Sequence, residues 1–174
     1  KFYDRKEIKD IIAYLKLILN PNDSVSLTRI INTPTRKIGA STLLKVQEFA
    51  TQHNLSFFSA LTRADQISVS PAKQRDLLGF VKLIHGLQKL YSSSKASSMI
   101  KFVVEDSGYK KMLVEEGTSE AQSRLENIAE LISVASKYDS LEPGISTTVF
   151  LEEMALISDI DQLPDSQNSI TLMT

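Results

Sequence analysis

The chain has 174 residues, 42% of them hydrophobic, enough for one sizeable core, and its 20 basic and 21 acidic residues leave a net charge of −1. That balance excludes a global electrostatic drive toward nucleic acid, membrane or acidic ligands, and the absence of cysteine excludes disulfide and thiolate chemistry and fits a reducing, cytoplasmic compartment. No apolar run approaches the ~18 residues of a membrane span, KFYDRKEIKD lacks the pattern of a signal peptide, and the missing initial methionine predicts a piece of something longer.

In DRKEIKDIIAYLKLILNPND, Ile8, Ile11, Ile12, Leu15, Ile18 and Leu19 recur at three- and four-residue steps and predict one apolar helix face, with Asp4 and Glu7 in capping-box spacing. Asn20-Pro21-Asn22-Asp23 ends that helix, and a shorter one runs from Ser24 to about Asn32. Thr33-Pro34 closes it; residues 35–40 form a tight link, and Ser41 is the expected cap of a third helix with Leu43, Leu44, Val46, Phe49 and Ala50 inward. A short helix is expected over 56–62. Ser70-Pro71 then starts a long helix to about Tyr91, since proline suits the first helical position.

Residues 96–106 read as a helix stopped at Gly108, residues 109–115 as a further turn or two before Gly117, and SEAQSRLENIAELISVASKYD as an amphipathic helix with Leu125, Ile128, Leu131, Ile132 and Ala135 on one stripe. Glu142-Pro143-Gly144 is a turn, 146–157 a last helix, and SDIDQLPDSQN an acidic loop. Only SITLMT reads as a strand, and with no partner strand in the chain its sheet must lie elsewhere.

Charge is polarised along the chain. Residues 24–47 hold no acid but carry Arg29, Arg36, Lys37 and Lys45, whereas after Lys137 there is no base but seven acids. There is no phosphate loop, no G-x-G-x-x-G, no H-E-x-x-H and no Cys/His cluster, so motifs assign no catalytic residue and no metal ligand. His53 and His85 are isolated and read as packing or surface residues, and Asp159, Asp161 and Asp165 lack the glycine and glutamate of a calcium loop.

The turn TPTRKIGAST has two readings. In one, Gly39 permits a tight or left-handed backbone and Arg36 and Lys37 merely solvate its tip. In the other, a helix start at Ser41 points backbone N–H groups outward at a phosphate that Arg36 and Lys37 neutralise.

Taken together, FYDRKEIKDIIAYLKLILNPNDSVSLTRIINTPTRKIGAST, EAQSRLENIAELISV and ALISDIDQ followed by SITLMT resemble superfamily 1 DNA helicases of the UvrD/Rep/PcrA family, in order and spacing, over essentially the whole chain. The resemblance implies an all-α, irregular multi-helix bundle, the 2B subdomain, with an orphan C-terminal strand belonging to a RecA-like 2A domain. It divides the chain into a lead-in from 2A (1–10), the helical 2B subdomain (11–165) and a return to 2A at the start of motif V (166–174). The family's duplex-contacting turn reads R-G-I-G, matched here by Arg36, Lys37, Ile38 and Gly39, with lysine in place of the first glycine. Arg36, Gly39, Ala40, Ser41 and Thr42 are the implied phosphate contacts, joined by Lys37 through its charge. The block around Arg124, Glu126 and Asn127 resembles a motif near the 2A/2B junction. Arg124 and Glu126 cannot face each other on one helix and are expected to seek Arg5 or Glu7.

The implied function is a regulatory, duplex-contacting subdomain, itself non-catalytic, of an ATP-dependent 3'-5' DNA helicase in repair or replication, cytoplasmic and associated with a bacterial nucleoid. ATP and Mg2+ would belong to the parent helicase, and the chain itself would carry no cofactor. Partners would be duplex DNA or a duplex/single-strand junction, held by its backbone, and the helicase domains 1A, 1B and 2A, with no membrane contact. The alternative is a protein-docking module of the same helicase for repair or transcription partners, using the acidic C-terminal third.

Overall fold

The computed structural model describes residues 1–162, and among them the regular elements are all helical, forming an irregular all-α bundle without a strand. The expected strand and the return segment lie outside the described residues.

Helix α1 (Lys6–Leu19) is the axle of the bundle. It packs against α2 (Ser24–Ile30), α5 (Pro71–Tyr91), α6 (Ala96–Asp106), α8 (Ser119–Ser136) and α9 (Ile145–Gln162). With neighbours on most sides it buries more than the single stripe its periodicity predicts: Tyr14 and Leu17 are fully buried beside Ile8, Ile11 and Leu15, while Ile12 and Leu19 are only partly covered. The expected capping box does not form. The helix starts after Arg5 without a side-chain cap, Asp4 sits in a 3-10 turn with its carboxylate 3.6 Å from Lys9, and Glu7 is turned into the protein. Glu7 finds a fixed donor there, which an exposed cap would not give it. Helix α1 also runs unbroken through residue 10.

Side-chain caps set the starts of α2, α4 (Phe57–Thr62), α5 and α8. The Asp23 carboxylate accepts from the Ser26 amide at 2.9 Å and from its hydroxyl at 2.7 Å and opens α2. Ser56 accepts from the Ser59 amide at 3.1 Å ahead of α4, and Ser70 from the Lys73 amide at 3.2 Å ahead of α5, with Pro71 first in the helix as expected. Gly108 (φ 81°) and Gly117 (φ 64°) take left-handed conformations at either end of α7 (Tyr109–Glu116), and Thr118 caps α8. Helix α3 (Ala40–Gln52) follows the basic turn.

Helix α9 is longer than its sequence suggests. It begins at Ile145 and continues to Gln162, so residues 158–162, expected as an acidic loop, are helical. Phe150, Leu151 and Met154 anchor the inner side, and the charged residues beyond them need only solvent, which a helix face offers as readily as a loop. The core is one continuous cluster to which the α-helices, from α1 to α9, all contribute buried side chains, with Tyr14, Phe80, Tyr109 and Phe150 its largest fully buried members.

Candidate nucleic-acid interface

Between α2 and α3 the chain folds into a turn held from beneath by Arg36. Its Nη1 donates to the carbonyls of Ile30 (2.9 Å), Ile31 (3.1 Å) and Pro34 (3.3 Å), and its Nη2 to the Tyr14 hydroxyl (2.6 Å) and the Ser107 carbonyl (3.2 Å). The guanidinium also lies 5.4 Å from the Phe80 ring centre and 5.9 Å from that of Tyr14. Several donors in a rigid fork suit arginine to this task, which lysine could not perform. The Arg36 side chain, expected at the solvent tip, therefore points into the bundle, where the exposed carbonyl ends of α2 give its charge better partners than water does.

Two further residues, not singled out by sequence, complete the clamp. The Asn32 side-chain oxygen accepts from the backbone N–H of Arg36 (2.7 Å) and of Ile38 (3.2 Å), and Tyr14 donates to the Thr33 carbonyl (2.7 Å). Ile38, 1% exposed, pins the turn to the core. An Asx residue four positions ahead of a basic tip was the available local signal for Asn32. Burial raises the Tyr14 hydroxyl pKa above the ordinary tyrosine value against the opposing pull of Arg36, so this tyrosine stays a neutral donor.

Lys37 forms the tip. Its side chain is exposed, its φ of 61° is left-handed, and its carbonyl accepts from the Lys73 ammonium. The strained position is thus Lys37 and not Gly39, whose φ of −85° and ψ of 177° any residue can adopt. This also explains why the family turn resembled above carries glycine at the position Lys37 occupies. Gly39 is the residue before α3, and the helix starts at Ala40 rather than being capped by Ser41. Leu43 makes the first bond of the helix, to the Gly39 carbonyl at 3.1 Å, so the N–H groups of Ala40, Ser41 and Thr42 have no acceptor within it. Ala40 and Ser41 are exposed, Thr42 is buried, and the first turn holds no acid. Lysine charge and free amide donors thus share one end of the helix, an arrangement suited to an anion.

The second predicted group divides differently. Arg124 lies 3.6 Å from Glu116, and Glu126 accepts from Gln122 at 3.4 Å, so neither meets Arg5 or Glu7. Asn127 does both: its oxygen accepts from the Arg5 guanidinium and its amide nitrogen donates to Glu7 at 2.7 Å. The phase of α8 brings residue 127, not 124 or 126, against α1.

One turn further along α1, Asp10 accepts from Arg29 Nε at 2.8 Å and from the Tyr109 hydroxyl at 2.7 Å. Glu7, Asp10 and Tyr14 thus form a buried polar stripe between the Arg5 contact and the Arg36 clamp. Polar residues at these three positions, three and four apart inside a helix rich in isoleucine and leucine, were its sequence signature.

His53 Nδ1 faces the Phe49 carbonyl at 3.0 Å, to which its N–H donates, and its ring stacks on that of Phe49, while His85 meets Phe58 edge-on. Asp159 lies on α9, and among the described residues no three His, Cys, Asp or Glu side chains are grouped to hold a metal.

The described residues thus form an all-helical bundle that carries a clamped basic turn. The chain belongs to the family of the UvrD-like helicase C-terminal domain, whose profile it matches over residues 1–174. It is 44% identical over 176 aligned positions to the ATP-dependent DNA helicase PcrA of Staphylococcus aureus (strain Mu50 / ATCC 700699), covering 100% of this chain and 24% of that protein. PcrA of Staphylococcus epidermidis (strain ATCC 12228 / FDA PCI 1200) is 43% identical with the same coverage. The chain therefore spans about a quarter of the length of these relatives.

Proposed function

We propose that this chain is the regulatory 2B subdomain of an ATP-dependent 3'-5' DNA helicase and that its basic turn grips the backbone of duplex DNA ahead of the unwinding junction. The observation that carries the reading is the pairing of an exposed Lys37 with the unbonded amides of residues 40–42 on a turn that Arg36 and Asn32 hold rigid. A phosphate seated there gains a mobile positive charge and fixed donors without base readout. Gly39, Ala40, Ser41 and Thr42 contact phosphate in this account, while Arg36 acts from below as a positioning residue.

ATP hydrolysis, with Mg2+, belongs to the rest of the helicase, whose 1A, 1B and 2A domains would flank this one in a bacterial cytoplasm and at its nucleoid. Repair and replication are the settings that fit. Residues 1–10 supply the crossing from 2A in this account, and residues 166–174 the return.

The test is a titration into a fluorescent duplex with a single-stranded tail at two salt concentrations, comparing the chain with Lys37→Glu. Arg36→Glu would disorder the turn and confound charge with folding, so Lys37 alone is reversed. Binding near 10⁻⁴–10⁻⁶ M that weakens with salt and is lost in the variant supports the reading. Equal binding by both proteins removes it.

A second reading, docking of repair or transcription proteins, draws on α9. Leu156 and Ile160 are 62% and 67% exposed beside the exposed Glu152, Glu153 and Asp159, a surface that repels phosphate and suits a protein neighbour.

A further inference from the structure

We propose that the outward face of α5 is a second duplex contact, a phosphate track of Arg75, Lys82 and Lys89 that continues from Lys37 and is laid open by Gly79 and Gly86. The proposal rests on the reading of the chain as a duplex-contacting helicase subdomain.

The five residues fall at steps of three, four and seven, so they share one line along the helix opposite buried Leu77, Phe80, Ile84 and Leu87. All five are exposed, and among the described residues none of the three cations has a hydrogen-bond or ion-pair partner. Asp76 is the one acid on α5, 3.8 Å from Lys73 and off the line, and from Leu77 to Val104 the sequence has no acid at all. A helix face meant only for solvent would ordinarily mix the two signs.

Continuity with the turn is direct. The Lys73 ammonium bonds the Lys37 carbonyl, and a concavity of about 370 Å³ is lined jointly by Lys37, Arg75, Gly79 and Phe80, with Asp76, the ion-pair partner of Lys73, also on its wall. Successive cations stand about 10 Å apart, and the track spans about 21 Å, less than one B-DNA turn of roughly 34 Å.

The glycines need an explanation that packing does not give. A Cβ added at Gly79 or Gly86 would meet nothing within 4 Å, and neither has a positive φ. Glycine inside a helix is disfavoured against alanine. What the two positions provide is bare backbone between cations, over which a sugar-phosphate strand can lie close. With no aromatic residue on the line, a stacked single strand is a poorer occupant than duplex.

The chain closes its own core, so it can be titrated as it stands with the tailed duplex across a salt series. Three variants are compared: Arg75→Ala/Lys82→Ala/Lys89→Ala, Gly79→Gln/Gly86→Gln, and Lys37→Glu. The triple variant should lower the slope of log K against log salt by about 2–3 and weaken binding roughly tenfold or more at low salt. The glutamine pair should raise the melting temperature while weakening binding, a combination that misfolding cannot produce. Wild-type affinity in the triple variant, with binding lost in Lys37→Glu, overturns the track and leaves the turn as the contact. Loss in the triple variant with Lys37→Glu unchanged overturns the turn and leaves the track. A wild-type chain that does not bind duplex overturns both, and unchanged binding in the glutamine pair overturns the close approach.

Discussion

The Tyr14 hydroxyl accepts from the Arg36 guanidinium at 2.6 Å and donates to the Thr33 carbonyl at 2.7 Å, so one phenol on the central helix holds both the side chain and the backbone of the basic turn. Residues 22 positions apart thereby fix the shape of a loop whose own sequence holds a proline and a glycine.

Replacing Arg36 with methionine keeps an unbranched apolar stem and removes the donors, stranding several carbonyls and taking one bond from the Tyr14 hydroxyl. The expected cost is about 3 kcal/mol, read as a lowered urea midpoint. Arg36→Lys should recover less than half of it, because an ammonium cannot fork between Nη1 and Nη2 partners.

Lys37→Gly separates stability from binding. Relief of the left-handed backbone at φ 61° should leave the fold unchanged or firmer by up to about 1 kcal/mol in thermal melts. The salt slope for duplex should fall by about one, since one cation is gone.

Asp10 is 2% exposed and shared by Arg29 and Tyr109. Asp10→Asn should destabilise by about 1–2 kcal/mol, because a neutral amide in this buried position loses the charge that pairs with Arg29 and can no longer accept at both oxygens from Arg29 and Tyr109. A double-mutant cycle with Tyr109→Phe should show coupling of at least about 0.5 kcal/mol.

The tyrosines make the fold sensitive to base. Burial raises Tyr14 above its ordinary value of 10.0. Burial first, then the bond and charge of Asp10, raise Tyr109, and the bond to Glu153 chiefly pushes Tyr138 up to about 12. A raised folded pKa means that the unfolded chain loses its proton first. These groups therefore contribute fully below pH 10, and their contribution drains away as pH rises, for Tyr138 between about 10 and 12. Denaturant midpoints should fall above pH 10, and the phenolate absorbance of Tyr14 and Tyr109 should appear only with unfolding.

Thr147 is fully buried, and its hydroxyl has no hydrogen-bond partner among the described residues. Thr147→Val exchanges that hydroxyl for a methyl group of similar size and should stabilise the chain by about 1 kcal/mol in urea unfolding.

Helices were legible where punctuation is local. Ser70-Pro71 located the start of α5, and Gly108 and Gly117 bracket α7 as their spacing suggested. The end of α9 was not, because exposed aspartates look alike on a helix and in a loop. Within the turn, the basic residues were visible but their division of labour was not. The acceptors of Arg36 are backbone carbonyls together with Tyr14 and Ser107, and bonds spanning 22 and 71 positions leave no pattern near Arg36. The choice of Asn127 over Arg124 and Glu126 likewise depends on how α8 is rotated against α1, which only the packed bundle decides.

The polar stripe along α1 gives two distant parts of the chain a common anchor. Arg5 is tied to α1 through Asn127 and Glu7, and the turn is tied to it through Tyr14 and Arg36. The lead-in and the basic tip are therefore fastened to one helix, about two turns apart, by side chains rather than by the loops that carry them.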